Sequence, residues 1–246
     1  MARNAFPFGV HELMQLGETM ADALERHGAW LRMMEIDATQ LREAIKILRT
    51  NETAFVTLRS EKAAAGKWVN AADQAMIEWL GKARLAVMLA RGTKWSGTWL
   101  DAGFIHGSTD VPKAMAPRIE LARRVVDFFA RNPQFGVAHA NVTATHGRKA
   151  YDDVVGAQRI RRQLISECSN AKKFRDAAEQ ALRRKMGQVV RMLSASIKPN
   201  DARWFAFGLD QPKIARWKQP ARSVEAQTPI SQLSSREDRQ EATAAA

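Results

Sequence analysis

The chain has 246 residues, a formal net charge of +12, 46% hydrophobic residues and 26% charged residues, a composition typical of globular rather than disordered proteins. It contains no run of eighteen apolar residues and no apolar leader in residues 1–10, so we expect a cytoplasmic protein without a membrane span. Its one cysteine, Cys168, excludes an intramolecular disulfide.

Residues 1–91 predict two helical segments. A first helix is expected over about 12–30, and Asp37 to Gln40 form a capping signal for a second. Early in this second helix, three- and four-residue steps predict a seam that packs against another helix, through Leu41, Ile45, Leu48 and Phe55. A further seam is predicted through Trp68, Ala72, Ala75, Trp79, Ala83, Ala86 and Ala90. Gly66 leaves open whether the helix is continuous or broken.

Residues 92–112 are rich in glycine, threonine and serine and predict the one long non-helical stretch. A helix then begins near Pro112 to Pro117 and ends before Asn132-Pro133. Its apolar positions are Ile119, Leu121, Val125, Val126, Phe128 and Phe129.

Residues 142–197 contain no proline and predict one long amphipathic helix, or two if it breaks near Asn170. At 100° per residue, one side carries Ile160, Leu164, Cys168, Ala171, Phe174, Ala178, Leu182, Val189 and Leu193. The opposite side carries three basic doublets eleven residues apart. We call them the basic stripe: Arg161, Arg162, Lys172, Lys173, Arg183 and Arg184. The stripe is expected to face solvent or an anionic partner.

The charge distribution also favours an anionic partner for the second half. Residues 1–112 hold 13 basic and 13 acidic residues, whereas residues 113–209 hold 19 and 8. This asymmetry suggests a surface for nucleic acid, an acidic protein or a lipid headgroup.

A shift of 105 residues superimposes the two halves of the sequence. It places Trp99 on Trp204 and Gly103 on Gly208, and it aligns the apolar positions of the two shorter helices. The four residues are predicted to form structural stop elements, each folded back on the end of its own long helix. We infer an internal duplication, with one repeat over about 9–104 and the other over about 113–209.

The motif Asp201 to Leu209, Asp-Ala-Arg-Trp-Phe-Ala-Phe-Gly-Leu, follows a long helix rich in alanine and arginine. In this it resembles a group of uncharacterised bacterial all-helical proteins built from two such repeats, many with a C-terminal fibronectin type III domain. The resemblance is close over residues 198–212 and loose over 1–209. It implies a fold and no chemistry, and the 35 or so residues after Pro212 have no room for a β-sandwich.

The remaining polar residues do not form a known catalytic or metal signature. The five histidines lack zinc-site spacing, phosphate-loop and dinucleotide glycine patterns are absent, and we expect no cofactor. The acidic residues Glu12, Glu18, Asp22 and Glu25 are interpreted as a solvated helix face, and Cys168 as a buried structural thiol. The segment 210–246 is predicted to be a flexible tail in which Trp217 is the one aromatic residue.

The sequence therefore predicts an all-α, elongated helical bundle of two repeats over residues 1–209. The favoured function is a non-enzymatic scaffold or adaptor that self-associates or binds a partner protein. Two alternatives stay open, a nucleic-acid-binding protein and an enzyme with a dispersed site. Since the 105-residue shift places Ala86 on Arg191, the two seams do not match, and a homodimer that pairs along the alanine seam is expected.

Overall fold

The protein is described from a computed structural model that covers residues 6–29, 36–105 and 107–212. The predicted flexible tail and Trp217 lie outside these residues, apart from 210–212. The chain folds into an all-α bundle, whose α-helices are α1 Val10–His27, α2 Ala38–Arg91, α3 Gly97–Asp101, α4 Met115–Arg131, α5 Ala144–Ser196 and α6 Arg203–Ala206. Two short 3₁₀ turns, Pro133–Phe135 and Ala138–Ala140, precede α5. In the described ranges the only strand-like pairing is one bridge between Val137 and Val142.

The long helices α2 and α5 pack together along their lengths and run antiparallel. Glu52 lies beside Arg175, and Trp79 lies against Gly147. Both helices are continuous, across Gly66 in α2 and across Asn170 in α5. Each begins with a side-chain cap, because the Asp37 carboxylate accepts from the Gln40 amide and the Thr143 hydroxyl accepts from the His146 amide.

The contacts between the long helices follow a seven-residue repeat, as in a coiled coil. Position a of the repeat is occupied in α2 by Leu48, Phe55, Lys62, Val69, Met76 and Ala83. In α5 it is occupied by Gly147, Val154, Arg161, Cys168, Arg175, Leu182 and Val189. Most of these positions are buried or half-buried, while Arg161 is exposed. The pair therefore has a true helix–helix seam, but charged residues interrupt its middle.

Two separate apolar cores lie at the two ends of this helix pair. The first joins α1, the start of α2, the end of α5 and Trp204. The second joins α4, the end of α2, the start of α5 and Trp99. Of the elements that the structure describes, only α2 and α5 lie between these cores. The bundle is therefore thick at both ends and two helices thick in the middle.

The order of elements repeats along the chain. The bounds of α1, α2 and α3 recur in α4, α5 and α6 after 104 to 106 residues. Within the long helices the offset is 106, because the caps Asp37 and Thr143 correspond, as do buried Val87 and Leu193. The 105-residue alignment was therefore wrong by one residue there. A slip of one residue rotates a helical side chain by about 100°, which explains why the two seams did not match.

The tryptophans of both stop elements are buried, and each element packs on the short helix of the other repeat. Trp99 and Trp204 are both almost fully buried. The Cα of Gly103 faces Arg124 of α4, and the Cα of Gly208 faces Leu16 of α1. The prediction that each element covers only the end of its own long helix was thus incomplete. The elements are exchanged between the repeats.

The predicted alanine seam of α2 was only partly correct. Trp79, Ala83 and Ala86 are buried, but Trp68, Ala75 and Ala90 are exposed. A buried stripe that is rotated by about 70° from the predicted seam runs through Ala65, Val69, Met76, Leu80 and Val87. The buried part of the alanine seam packs within the chain, so the seam does not support a dimer.

The apolar face predicted for α5 also changes in its middle. Cys168, Ala171, Ala178, Leu182, Val189 and Leu193 are buried, but Ile160 and Phe174 are exposed. Arg175 takes the inward position instead. Its guanidinium lies 4.7 Å from the centre of the Phe55 ring and 3.8 Å from the Glu52 carboxylate. The pKa of Arg175 is raised, chiefly because its guanidinium donates a hydrogen bond to the Asp176 carboxylate. This cation–π contact joins α2 and α5 in the middle of the pair.

Substitution of Gly103 or Gly208 by alanine should destabilise the fold. Both glycines have positive φ, 97° and 70°, and a Cβ would lie 2.6 Å from Arg124 Cβ or 2.9 Å from Leu16 Cδ1. We expect each variant to lower the free energy of unfolding by about 1–3 kcal/mol in urea titrations. Gly92, with φ 88° and open space around it, is the control. Its alanine variant should show the smaller loss, and equal losses at all three sites would contradict a role for the interhelix contact.

Candidate interaction surfaces

The two sides of the α2–α5 pair differ because both short helices pack on the same side. In the seven-residue repeat, positions b and e of the long helices contact α1 or α4. Arg42 and Arg49 pair with carboxylates of α1, Arg148 pairs with Asp127 of α4, and Asp73 pairs with Arg118 of α4. Positions g lie on the opposite side. One side of the pair is therefore covered at both ends by α1 and α4. None of the described elements covers the other side.

The structure places most of the basic stripe in solvent, as predicted. Arg161, Arg162, Lys172, Lys173 and Arg184 are exposed. Arg183 differs, because its guanidinium donates to the carboxylate of Glu179 and, over 2.7 Å, to the backbone carbonyl of Pro7. The prediction that Arg183 faces solvent is therefore wrong in part, since this side chain binds the segment before α1.

A basic saddle lies between the two short helices on their side of the pair. We define it by Arg59, Arg162 and Lys172, with Val56 and Ile165 as exposed apolar neighbours. Helix α1 runs antiparallel to α2, and α4 runs antiparallel to α5, so the N-terminal ends of α1 and α4 face each other across the saddle. Helix N-termini carry partial positive charge. The saddle therefore favours negatively charged groups.

An apolar edge runs along the uncovered side, at g positions of both long helices. We define it by Ile47, Trp68, Ile160 and Phe174, of which Trp68 is 63% and Phe174 is 65% exposed. A groove of about 410 Å³ lies beside Trp68 and is floored by small residues such as Ala71 and Gly156. Large exposed aromatic side chains on a floor of small ones are typical of protein interaction sites.

The acidic residues in the middle of the molecule lie on the apolar edge, whereas three of the eight basic residues there form the basic saddle. In residues 56–70 and 161–175 there are eight basic and two acidic residues. The two acidic residues, Glu61 and Glu167, both occupy g positions on the apolar edge, between its aromatic residues. The middle of the molecule thus has one acidic and apolar edge and, on the other side, a basic saddle.

Sequence reasoning missed a buried ion pair that holds α4. Arg118 is only 6% exposed and contacts both oxygens of Asp73, at 3.0 and 2.6 Å. It also donates to the carbonyl of Pro112 at 2.9 Å. In the first repeat, Arg183 binds the corresponding carbonyl of Pro7. The available signal was an arginine at the position that aligns with buried Leu13 at a shift of 105 residues.

The acidic residues of α1 are not simply a solvated face. Glu18 pairs with Arg49, and Asp22 and Glu25 both pair with Arg42. The hydrogen bond from Arg42 lowers the pKa of Glu25. On α4, hydrogen bonds from Arg123 and then Arg124 lower the pKa of Glu120 to about 2. These exposed pairs orient the short helices and add little to stability.

The described residues offer no assembled metal site. No group of three or more histidine, cysteine, aspartate or glutamate side chains within 6–29, 36–105 and 107–212 could hold a metal ion. His106 lies outside the described residues, and the His146 imidazole Nδ1 lies 2.8 Å from the Thr143 hydroxyl. Cys168 is buried, as predicted. Among the helices in these ranges, none combines the length and apolar character that crossing a membrane requires.

Comparisons of the chain with protein-family models, curated proteins and solved structures found no match. The resemblance to two-repeat bacterial proteins and the repeat boundaries therefore stay predictions.

Proposed function

We propose that this protein is a non-enzymatic helical scaffold or adaptor that binds protein partners, including further copies of itself, through the apolar edge. The observation that carries this proposal is the exposure of Trp68 and Phe174 on a continuous rod of two helices. Exposure of such side chains to water is unfavourable, because burial of a large apolar side chain stabilises by about 1.5–3 kcal/mol.

The arrangement of the bundle supports this proposal. Both short helices pack on the other side of the pair, where they bury the cores at the two ends. The apolar edge is thus not needed to complete either core. Exposed apolar side chains that group along one face, with polar residues around them, are typical of protein interaction sites.

Photo-crosslinking tests the proposal directly. A photoreactive phenylalanine analogue at Trp68 or Phe174, introduced in the cells that make the protein, should yield crosslinked adducts of discrete mass. The same analogue at Lys67, an exposed position off the edge, is the matched control and should yield far less adduct. Failure of both edge positions to give an adduct above the control would contradict the scaffold function. Adduct mass separates a second copy from another protein.

Nucleic-acid binding is the second candidate, and the exposed basic residues favour it. Five residues of the basic stripe and the basic saddle could neutralise several phosphates of a polyanion. Aromatic residues that could stack on bases lie on the opposite, acidic edge, which makes this candidate weaker. The third candidate, an enzyme with a dispersed site, gains no specific support from the described residues.

A further inference from the structure

We propose that the basic saddle of one copy binds the apolar edge of a second copy of this chain. This inference rests on the proposed scaffold function and names its partner. The edge presents Glu61 and Glu167 between Trp68 and Phe174, and the saddle presents Arg59, Arg162 and Lys172 around Ile165.

Charge complementarity selects a second copy as the occupant. The acidic pair of the edge would be repelled by the same edge of another copy, so two apolar edges cannot pair face to face in register. The saddle offers the opposite charge together with exposed Val56 and Ile165, which match the apolar part of the edge. Edge and saddle therefore complement each other in both charge and polarity.

The walls of the saddle determine how the second copy must lie. Helices α1 and α4 each stand about 10 Å above the saddle and leave a gap on the order of 20 Å between their N-terminal ends. A helix pair is also about 20 Å wide. The second copy can therefore enter only with its long helices across those of the first, which brings the centre of its edge onto the saddle.

Such a contact joins different surfaces of the two copies, so it does not close on itself. Each bound copy presents its own free saddle, and a third copy can add in the same way. The contact area is small and its charges are exposed, which predicts weak, salt-sensitive association into a series of oligomers rather than one dimer.

A charge-swap experiment tests the proposal on the full chain. One variant reverses the edge, Glu61→Lys/Glu167→Lys, and another reverses the saddle, Arg59→Glu/Lys172→Glu. We expect light scattering to show that the wild-type mass rises with concentration and falls with added salt. Each variant alone should associate at least about tenfold more weakly than the wild-type chain. An equimolar mixture should recover association, because the unchanged saddle of the first variant can bind the unchanged edge of the second, and the two reversed surfaces also have opposite charge. Circular dichroism checks that both variants remain helical.

Three outcomes would overturn the proposal. These are a wild-type chain that is monomeric at every concentration, a single variant that associates as well as wild type, or a mixture that stays monomeric. A further arm uses a single-stranded DNA oligonucleotide as probe. If it binds the wild-type monomer and not the saddle variant, the saddle belongs to a polyanion instead. Adducts of the apolar edge with a different protein would then leave the scaffold function standing while this inference fails.

Discussion

Replacement of Gly147 by alanine is expected to lower the free energy of unfolding by about 2 kcal/mol or more. In the first turn of α5, a Cβ at this position would lie only 2.1 Å from the Trp79 ring, at Cζ2. Neither group can move easily, because Trp79 is buried against Phe129 and α5 is held by its cap at Thr143. Thermal and urea unfolding should both report the loss.

The matched control for this substitution is Gly187→Ala in the same helix. A Cβ at Gly187 would meet no atom within 4 Å. Alanine there should raise the free energy of unfolding by about 0.5–1 kcal/mol, because glycine lowers helix stability. A second change, Trp79→Leu, should recover part of the stability lost in Gly147→Ala. An unchanged melting temperature in Gly147→Ala would show that α2 and α5 do not approach this closely.

The buried ion pair of α4 should produce the other large effect. In Asp73→Ala, Arg118 would remain buried without its carboxylate, and we expect a loss of about 3–5 kcal/mol in urea unfolding. The charge itself is costly to bury, so removal of both partners should be milder. The first repeat has Leu13 at the position of Arg118.

The double variant Asp73→Ala/Arg118→Leu should therefore lie within about 2 kcal/mol of wild type. Comparison of the two single variants with the double variant gives the coupling energy of the pair. If the losses simply add, Arg118 and Asp73 do not act as a pair, and α4 is held by its apolar face alone.

Much of the fold was predictable from sequence because its signals are local. Helical spacing, the Asp37 cap and the prolines near α4 predicted helix bounds close to those observed. The repeat was also detectable, because Trp99 and Gly103 recur as Trp204 and Gly208. The one-residue difference within the long helices was not detectable, because α4 is one residue shorter than α1 while the connector before α5 is two residues longer than the one before α2, and neither change carries a sequence marker.

The errors in the seams lie at apolar residues in the middle of the long helices. Hydrophobicity favoured Trp68 and Phe174 as inward residues, but the seven-residue repeat of the pair places both at g positions, beside the seam. Arg175 faces inward instead, because Glu52 and Phe55 of the other helix compensate its charge, and sequence alone does not reveal that partner.

The candidate surfaces were predictable only in part. Segment charges indicated a basic half, and five residues of the basic stripe are exposed as expected. The saddle combines Arg59 of α2 with Lys172 of α5, and the edge combines Trp68 with Phe174. These combinations depend on the antiparallel register and on the side that α1 and α4 occupy, which are properties of tertiary packing.

The exchange of the stop elements between repeats has a consequence for synthesis of the chain. The first core joins Leu13, near the start of the chain, to Trp204 and Leu209, near the end of the described residues. A nascent chain that has just completed α3 holds only part of either core. Contacts of such large sequence separation form slowly. The apolar faces of the N-terminal half therefore stay uncovered until the second half has been synthesised. Chaperone holdases bind nascent chains in this situation.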